Sequence, residues 1–127
     1  MNKSYQLDLL RNAIENATPE ELTLMLYDGA IRFANSAVEK IDSGNFETAC
    51  SDVSRAADII LELQVSLNHQ FAIAEPLNDL YKYMYRRLSE STVDQGESRE
   101  MIVEVRDMLR GFRDTWEKAM HRAVAVV

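Results

Sequence analysis

The chain has 127 residues with four glycines, two prolines and one cysteine, and its formal net charge is −7 at pH 7. This length suits a single domain with one hydrophobic core, and the scarcity of glycine and proline favours an all-α fold over β-sandwiches and barrels. The acidic charge argues against nucleic acid and anionic membranes as partners, and Cys50 alone cannot form an internal disulfide.

Residues 1–17 are predicted to form an amphipathic leader. Asp8, Arg11 and Glu15 interrupt the continuous apolar segment that a signal peptide requires. No apolar run approaches the roughly 20 residues that span a bilayer. We therefore expect a cytoplasmic protein without membrane insertion. The spaced apolar side chains of the leader are Tyr5, Leu7, Leu10 and Ile14.

The first helix after the leader has clear start and stop signals. Thr18 can accept the backbone N–H of Glu21 in a capping box, and Pro19 suits the first helical position because that N–H needs no intrahelical partner. Gly44 can adopt the left-handed conformation that ends a helix. These signals predict a helix from Thr18 to about Asp42.

Three further helices are predicted from apolar side chains spaced by three and four residues. Asn45 is expected to cap the second, which carries Ala49, Val53, Ala56, Ile60, Leu63 and Leu67. The pattern breaks over 68–75, and Pro76 starts a third helix that ends before Asp94 and carries Leu77, Leu80, Tyr81, Met84 and Leu88. Ser98 is expected to cap the last, which carries Met101, Val105, Met108, Phe112, Trp116 and Met120.

Four helices with short connections predict an antiparallel four-helix bundle over residues 18–122. Together with the leader, it makes a single domain over 1–127. No internal repeat, low-complexity segment or linker interrupts this organisation.

The first bundle helix has more apolar surface than one core contact requires. One stripe comprises Leu22, Met25, Leu26, Gly29 and Phe33, and a second comprises Leu24, Tyr27, Ile31, Ala34 and Val38. Either this helix is central and the leader covers its second stripe, or the second stripe is a groove for an amphipathic segment of a partner. The two interpretations are compatible, because a partner can displace a leader. Leu61, Val65 and Tyr85 also lie away from the main stripes of their helices.

The chain offers little for catalysis. His69 and His121 lack the further ligands of a metal site, Cys50 has no activating partner in a recognisable motif, and no glycine-rich phosphate loop is present. We therefore expect no catalytic residues, no metal and no cofactor. An enzyme is the minority interpretation.

Several segments resemble the flagellar secretion chaperone FliS family. They read ATPEEL at 17–22, MLYDGAIRF at 25–33, LYKYMYRRL at 80–88 and RDTW at 113–116, and their order and spacing are similar to those of the family across roughly residues 5–120. Tyr5 stands fourteen residues before Pro19, as does a leader tyrosine of the family that is important for flagellin binding, and Ile14 matches an apolar position. Thr18 replaces the usual serine and is equivalent as a cap.

The resemblance implies a helical bundle that wraps the unfolded C-terminal segment of flagellin, keeps it from polymerising in the cytoplasm and passes it to the FlhA export gate. Combined with the surplus apolar positions, it gives a set of expected flagellin-binding residues. The competing hypothesis is a helical adaptor or regulatory bundle that binds another amphipathic helix. The expected residues are Tyr5, Leu10, Ile14, Leu24, Tyr27, Ile31, Leu61, Val65 and Tyr85.

Overall fold

A computed structural model describes residues 3–91 and 95–126, and these ranges contain helices and no strand. The predicted all-α class is confirmed. The described residues form five helices: α1 (Lys3–Asn16), α2 (Pro19–Asp42), α3 (Phe46–Val65), α4 (Ala74–Ser91) and α5 (Gln95–Val126). None of the helices in the described part of the chain has both the length and the apolar character needed to cross a membrane.

Helices α2 to α5 surround a common core. Helix α2 packs against α3 and α5, and α4 packs against the same two helices from the other side. Helix α2 therefore has packed neighbours on two sides, as does each of α3, α4 and α5. The largest fully buried apolar side chains are Tyr27, Tyr81, Ile60, Leu63, Met84, Leu88, Ile102, Leu109 and Val105.

The start and end of α2 follow the local signals in the sequence. The Thr18 hydroxyl accepts the backbone N–H of Glu21 at 3.1 Å, and Gly44 has φ of +81° in the turn that follows the helix. Asn45 stands at the N-cap of α3 as predicted, but its side chain makes no capping hydrogen bond. Its carbonyl instead accepts the Thr48 hydroxyl at 3.0 Å.

Two predicted helix starts are wrong by a few residues. Helix α4 begins at Ala74 rather than Pro76, because proline is tolerated anywhere in the first turn, where the N–H groups lack intrahelical partners. Helix α5 already includes Gln95, and Ser98 is fully buried within it instead of capping it. The predicted turn residue Asp94 lies outside the described residues.

Close packing joins α2 and α3. A Cβ added to Gly29 would lie 3.3 Å from Cδ1 of Ile59, so the glycine permits the two helices to approach. The Asp52 carboxylate on α3 accepts hydrogen bonds from Ser36 at 2.7 Å and pairs with Lys40 at 2.8 Å. These contacts also explain why a helix-destabilising glycine is tolerated in the middle of α2.

A polar ladder joins α2 and α5. Its rungs are seven residues apart on each helix, and the residue numbers fall along α5 as they rise along α2, so the two helices run in opposite directions. The terminal rungs are charge-assisted hydrogen bonds and the central one joins two arginines to an amide oxygen. The pairs are Asp28–Arg113 at 2.8 Å, Asn35–Arg106 at 3.3 Å with Asn35–Arg110 at 3.2 Å, and Asp42–Arg99 at 2.7 Å.

Helix α1 is not packed onto the second stripe of α2. Every side chain of residues 4–16 is exposed, and the principal contacts of α2 are with α3 and α5. The interpretation in which the leader covers that stripe is therefore wrong for this structure. The neighbouring helices already bury much of it, so little of the stripe is left for α1.

Candidate functional site

The second stripe of α2 is largely core. Tyr27 is 2% exposed, Ala34 and Val38 are buried, and Ile31 is partly buried against the core. The expectation that this stripe is surplus surface is therefore wrong for its buried members, because α3 and α5 enclose α2 on two sides. Leu24 is partly buried. The assignment of Leu24, Tyr27 and Ile31 to flagellin binding stays a prediction.

The surplus apolar surface lies instead at one end of the packed helices. A pocket of about 310 Å³, here called the end pocket, opens between the start of α2, the end of α3, the connection to α4, and α5. Its polar side chains include Glu20, Thr23, Ser66 and Asn68, with Tyr27 and Tyr81 also among the lining residues. Its apolar walls are Leu63, Leu67, Phe71, Ile73, Leu77 and Trp116.

Local hydrogen bonds shape the rim of the end pocket. The Asn68 side-chain oxygen accepts the Gln70 N–H at 3.0 Å, and the Phe71 carbonyl accepts the Ala74 N–H at 3.1 Å. These turns use the backbone groups of the connection and leave the side chains of Phe71 and Ile73 64% and 67% exposed. Together with the apolar walls of the end pocket, these two exposed side chains form a contiguous apolar patch of the kind that marks a contact surface.

Trp116 fixes the opposite wall of the end pocket. Its indole N–H donates to the Glu20 carbonyl at 3.0 Å, which ties α5 to the first turn of α2. The ring is partly buried against the core. Because a bound segment would contact this ring, the single tryptophan of the chain is a natural reporter of the pocket.

The two buried tyrosines of the end pocket are paired. The hydroxyl of Tyr27 on α2 is hydrogen-bonded to the hydroxyl of Tyr81 on α4, although the residues are 54 positions apart. Burial raises the pKa of both phenols above the ordinary value, and for Tyr81 the hydrogen bond with Tyr27 raises the pKa further. Both side chains are therefore neutral at physiological pH.

A second exposed apolar region runs along α3. Val65 is 81% exposed and Leu61 is also exposed, and the two follow Ala57 at steps of four residues on one side of the helix. Tyr85 on α4 is partly buried and lines a shallow groove with Ala57 and Asp58. The structure therefore places Leu61 and Val65 in one row that continues from the Tyr85 groove.

The predicted leader residues form a third region. Tyr5, Leu10 and Ile14 are all exposed on α1, and Leu10 and Ile14 share one side of that helix with Leu7. The nine predicted residues therefore do not meet at a single site. They divide among α1, the α2 stripe and the α3–α4 face.

The segments that carry the family resemblance are joined to one another by one buried contact and one partly exposed ion pair. Tyr27 meets Tyr81, as described above, and Asp28 of the second segment pairs with Arg113 of the last. Arg87 of the third segment pairs with Glu104 of α5 at 3.0 Å. The Tyr83 hydroxyl is hydrogen-bonded to the same carboxylate.

Sequence reasoning missed Phe71 and Ile73 because both lie where the helical periodicity breaks. The signal that could have found them is two large apolar side chains in a non-periodic connection, which a folded chain ordinarily buries or uses for contact. Within residues 3–91 and 95–126, no group of three or more His, Cys, Asp or Glu side chains is placed to hold a metal ion. Separately, the apolar walls of the end pocket suit contact with an apolar segment.

Comparison with known proteins identifies the family. The family model described as flagellar protein FliS matches residues 1–123. The flagellar secretion chaperone FliS of Bacillus subtilis (strain 168) is 34% identical over 110 residues, which cover 87% of this chain and 81% of that protein. The protein of the same name from Salmonella typhimurium (strain LT2) is 29% identical over 128 residues, covering 95% and 90%.

The corresponding protein of Escherichia coli (strain K12) is 27% identical over 114 residues, covering 87% of this chain and 82% of its own length. These matches confirm the resemblance, and with it the expectation of a chaperone rather than an enzyme. The chain belongs to the FliS family of flagellar proteins.

Proposed function

We propose that this protein is a cytoplasmic export chaperone that binds the disordered C-terminal segment of flagellin, prevents its premature polymerisation and delivers it to the FlhA component of the flagellar export gate. Family membership supports the chaperone role. The observation that carries flagellin binding is the exposed apolar surface formed by the end pocket with Phe71 and Ile73. In this proposal residues 1–127 are one domain, with α2–α5 as an antiparallel four-helix bundle and α1 as its leader.

The energetics of the proposal require an extended contact. Micromolar affinity corresponds to a binding free energy of about 8 kcal/mol. The contacts must also offset at least about 4 kcal/mol for the translational and rotational freedom that the partners lose on association. At about 25 cal/mol per Å², these amounts require roughly 500 Å² of buried apolar area. A pocket of about 310 Å³ takes only a few side chains. The segment must therefore extend beyond it, and in this proposal it continues over the exposed row of Leu61 and Val65 on α3.

Helix α1 offers further contact area in the proposal. It is joined to α2 immediately before Pro19, which lines the end pocket. Its apolar side, with Leu7, Leu10 and Ile14, has few contacts with the packed helices and can therefore close on a segment seated in the pocket. Tyr5 lies further along the same exposed helix.

A titration with a tryptophan-free peptide of the flagellin C-terminal segment tests the proposal. Trp116 fluorescence reports binding, and we expect a one-to-one complex. Phe71→Asp and Val65→Asp should each weaken it at least tenfold, because they place a charge on the proposed contact surface. Ser51→Asp is the matched control, since it adds the same charge at an exposed position 14 residues, or roughly 21 Å, before Val65 along α3.

Equal affinities for the Phe71, Val65 and Ser51 variants would contradict the proposed surface. A scrambled peptide of the same composition distinguishes flagellin binding from the competing role of a general helical adaptor. If the scrambled peptide binds as tightly as the native order, recognition depends on apolar content alone and the adaptor role is favoured.

A further inference from the structure

The paired tyrosine hydroxyls of the end pocket have one hydrogen too many for the bond between them. Each phenol carries one hydrogen, and the hydrogen bond that joins Tyr27 to Tyr81 uses only one of the two. Among the described residues, neither hydroxyl has another hydrogen-bond partner. One phenolic hydrogen therefore requires an acceptor from outside the protein.

Three other donors around the end pocket are already engaged within the protein. The Trp116 N–H donates to the Glu20 carbonyl, the Ser66 hydroxyl donates to the Leu63 carbonyl at 2.9 Å, and the Thr23 hydroxyl donates to the Pro19 carbonyl at 3.1 Å. Two side-chain donors are left for an occupant: the phenolic pair, which is buried, and the Asn68 amide N–H2 on the rim, whose oxygen accepts the Gln70 N–H. Because burial raises the pKa of both phenols, they remain protonated donors at physiological pH.

We propose that the end pocket selects an apolar segment that presents a neutral oxygen acceptor to the Tyr27–Tyr81 hydroxyl pair. Water can accept the surplus hydrogen in the free protein. An occupant that displaces this water without supplying its own acceptor loses a hydrogen bond, whereas one that supplies an oxygen keeps it. The inference rests on the proposed function and adds a chemical requirement to its apolar contact.

The charge of the end pocket argues for a neutral acceptor. Glu20 is the charged residue among those that line the pocket, and no lysine, arginine or histidine accompanies it there. A carboxylate that entered would meet an acidic rim in a chain of net charge −7 and would lose its hydration without a cation. A main-chain carbonyl or a side-chain amide oxygen of the segment has the required chemistry.

The double variant Tyr27→Phe/Tyr81→Phe separates recognition from stability. Replacing both partners of a buried hydrogen bond with apolar groups of the same shape is nearly neutral for folding. We expect an unchanged melting temperature and about five- to tenfold weaker binding of the flagellin C-terminal peptide, followed by Trp116 fluorescence. Tyr83→Phe is the matched control, because its hydroxyl contacts Glu104 rather than the pocket, and it should bind like the wild type.

Wild-type affinity in the double variant would overturn the inference. If the double variant does not fold, the single variants Tyr27→Phe and Tyr81→Phe decide. Either hydroxyl can donate in the wild-type pair, and the hydroxyl left in each single variant has a free hydrogen, but the two hydroxyls lie at different positions relative to the acceptor of the occupant. One of them should then bind about five- to tenfold more weakly than the other. Wild-type affinity in both would overturn the inference equally.

A pair of small probes tests the pocket independently of flagellin. Cyclohexanone and methylenecyclohexane have nearly the same shape, and only the ketone has an acceptor oxygen. The Trp116 indole signal in an NMR titration reports their binding. The preference for the ketone should be larger in the wild type than in the double variant, and an equal preference would overturn the inference. A ketone preference together with no binding of the flagellin peptide would refute the proposed function alone.

Discussion

A negative charge at Tyr27 should unfold the protein, whereas the same charge at Phe71 should leave it folded. Tyr27 is 2% exposed and paired with Tyr81, while Phe71 is 64% exposed. Removing a buried aromatic ring costs about 3–5 kcal/mol, and leaving the Tyr81 hydroxyl without its partner costs about 1–3 kcal/mol more. The total loss of stability is roughly 4–8 kcal/mol, and the cost of burying the new carboxylate adds to it. A typical domain has a free energy of unfolding of only about 5–15 kcal/mol.

The two variants are distinguished by circular dichroism and thermal melting. At roughly 4 °C per kcal/mol for a chain of this size, Tyr27→Asp should melt at least about 16 °C below the wild type or lack helical signal altogether. Phe71→Asp should change stability by no more than about 0.5 kcal/mol, or about 2 °C, and should lose flagellin binding. Its loss of binding can then be attributed to a lost contact.

A Tyr27→Asp protein with full helicity and an unchanged melting temperature would refute this reasoning. It would mean that Tyr27 is accessible in solution and that the second stripe of α2 is a surface, which is one of the two interpretations that the sequence pattern left open. Tyr27→Phe is the control for the ring itself. It keeps the apolar contacts, and its cost should be limited to about 1–3 kcal/mol from the unpaired hydroxyl of Tyr81.

Further predictions concern the cap, the core and one buried carboxylate. Thr18→Ala should destabilise the protein by about 1 kcal/mol in urea unfolding, because α2 loses its cap. Ile60→Ala should cost about 2–5 kcal/mol in the same assay, because Ile60 is fully buried and a cavity remains. Although burial opposes it, hydrogen bonds from Lys40 and Ser36 hold the pKa of Asp52 below its ordinary 3.8. The ionised Asp52 therefore stabilises the folded protein above pH 3.8. This contribution is lost as the pH falls through the pKa that Asp52 has in the folded protein, which is lower than 3.8.

Matched variants make these outcomes decisive. Thr18→Ser should retain the stability that alanine loses, and Ile60→Val should cost only about 0.5–1.5 kcal/mol. Asp52→Asn should lower stability at neutral pH and flatten the acid side of the stability profile. An unchanged pH profile in that variant would contradict the assigned role of Asp52.

The helices and most of their ends follow from local sequence. The Thr18 cap and Pro19 place the start of α2, and Gly44 places its end, because these signals act within one turn of the chain. Of the two helix starts that were predicted wrongly, the one at α5 has a tertiary cause, because Ser98 is buried in the core and does not act as a cap. At α4 the error arose because proline is tolerated throughout a first turn, so Pro76 marks the turn but not its first residue.

Local sequence could not decide which apolar face of α2 is buried. Both stripes have the helical period, and burial depends on where α3 and α5 lie, which is set by long-range contacts such as Gly29 with Ile59 and Asp28 with Arg113. From the sequence alone, Tyr27 therefore fitted a groove residue as well as a core residue. Its hydrogen bond with Tyr81 on α4 is a contact that only the folded chain shows.

By itself the sequence determined an acidic, all-helical chain with an amphipathic N-terminal segment and the segments typical of its family, because composition, periodicity and caps are local properties. Only the tertiary structure decided where the surplus apolar surface lies. The end pocket joins Tyr27, Phe71, Tyr81 and Trp116 from four separate parts of the chain, and no spacing along the sequence encodes that meeting. The physical reason is that a pocket forms where helices pack against one another, and the apolar pattern of each separate helix does not determine how the helices are placed.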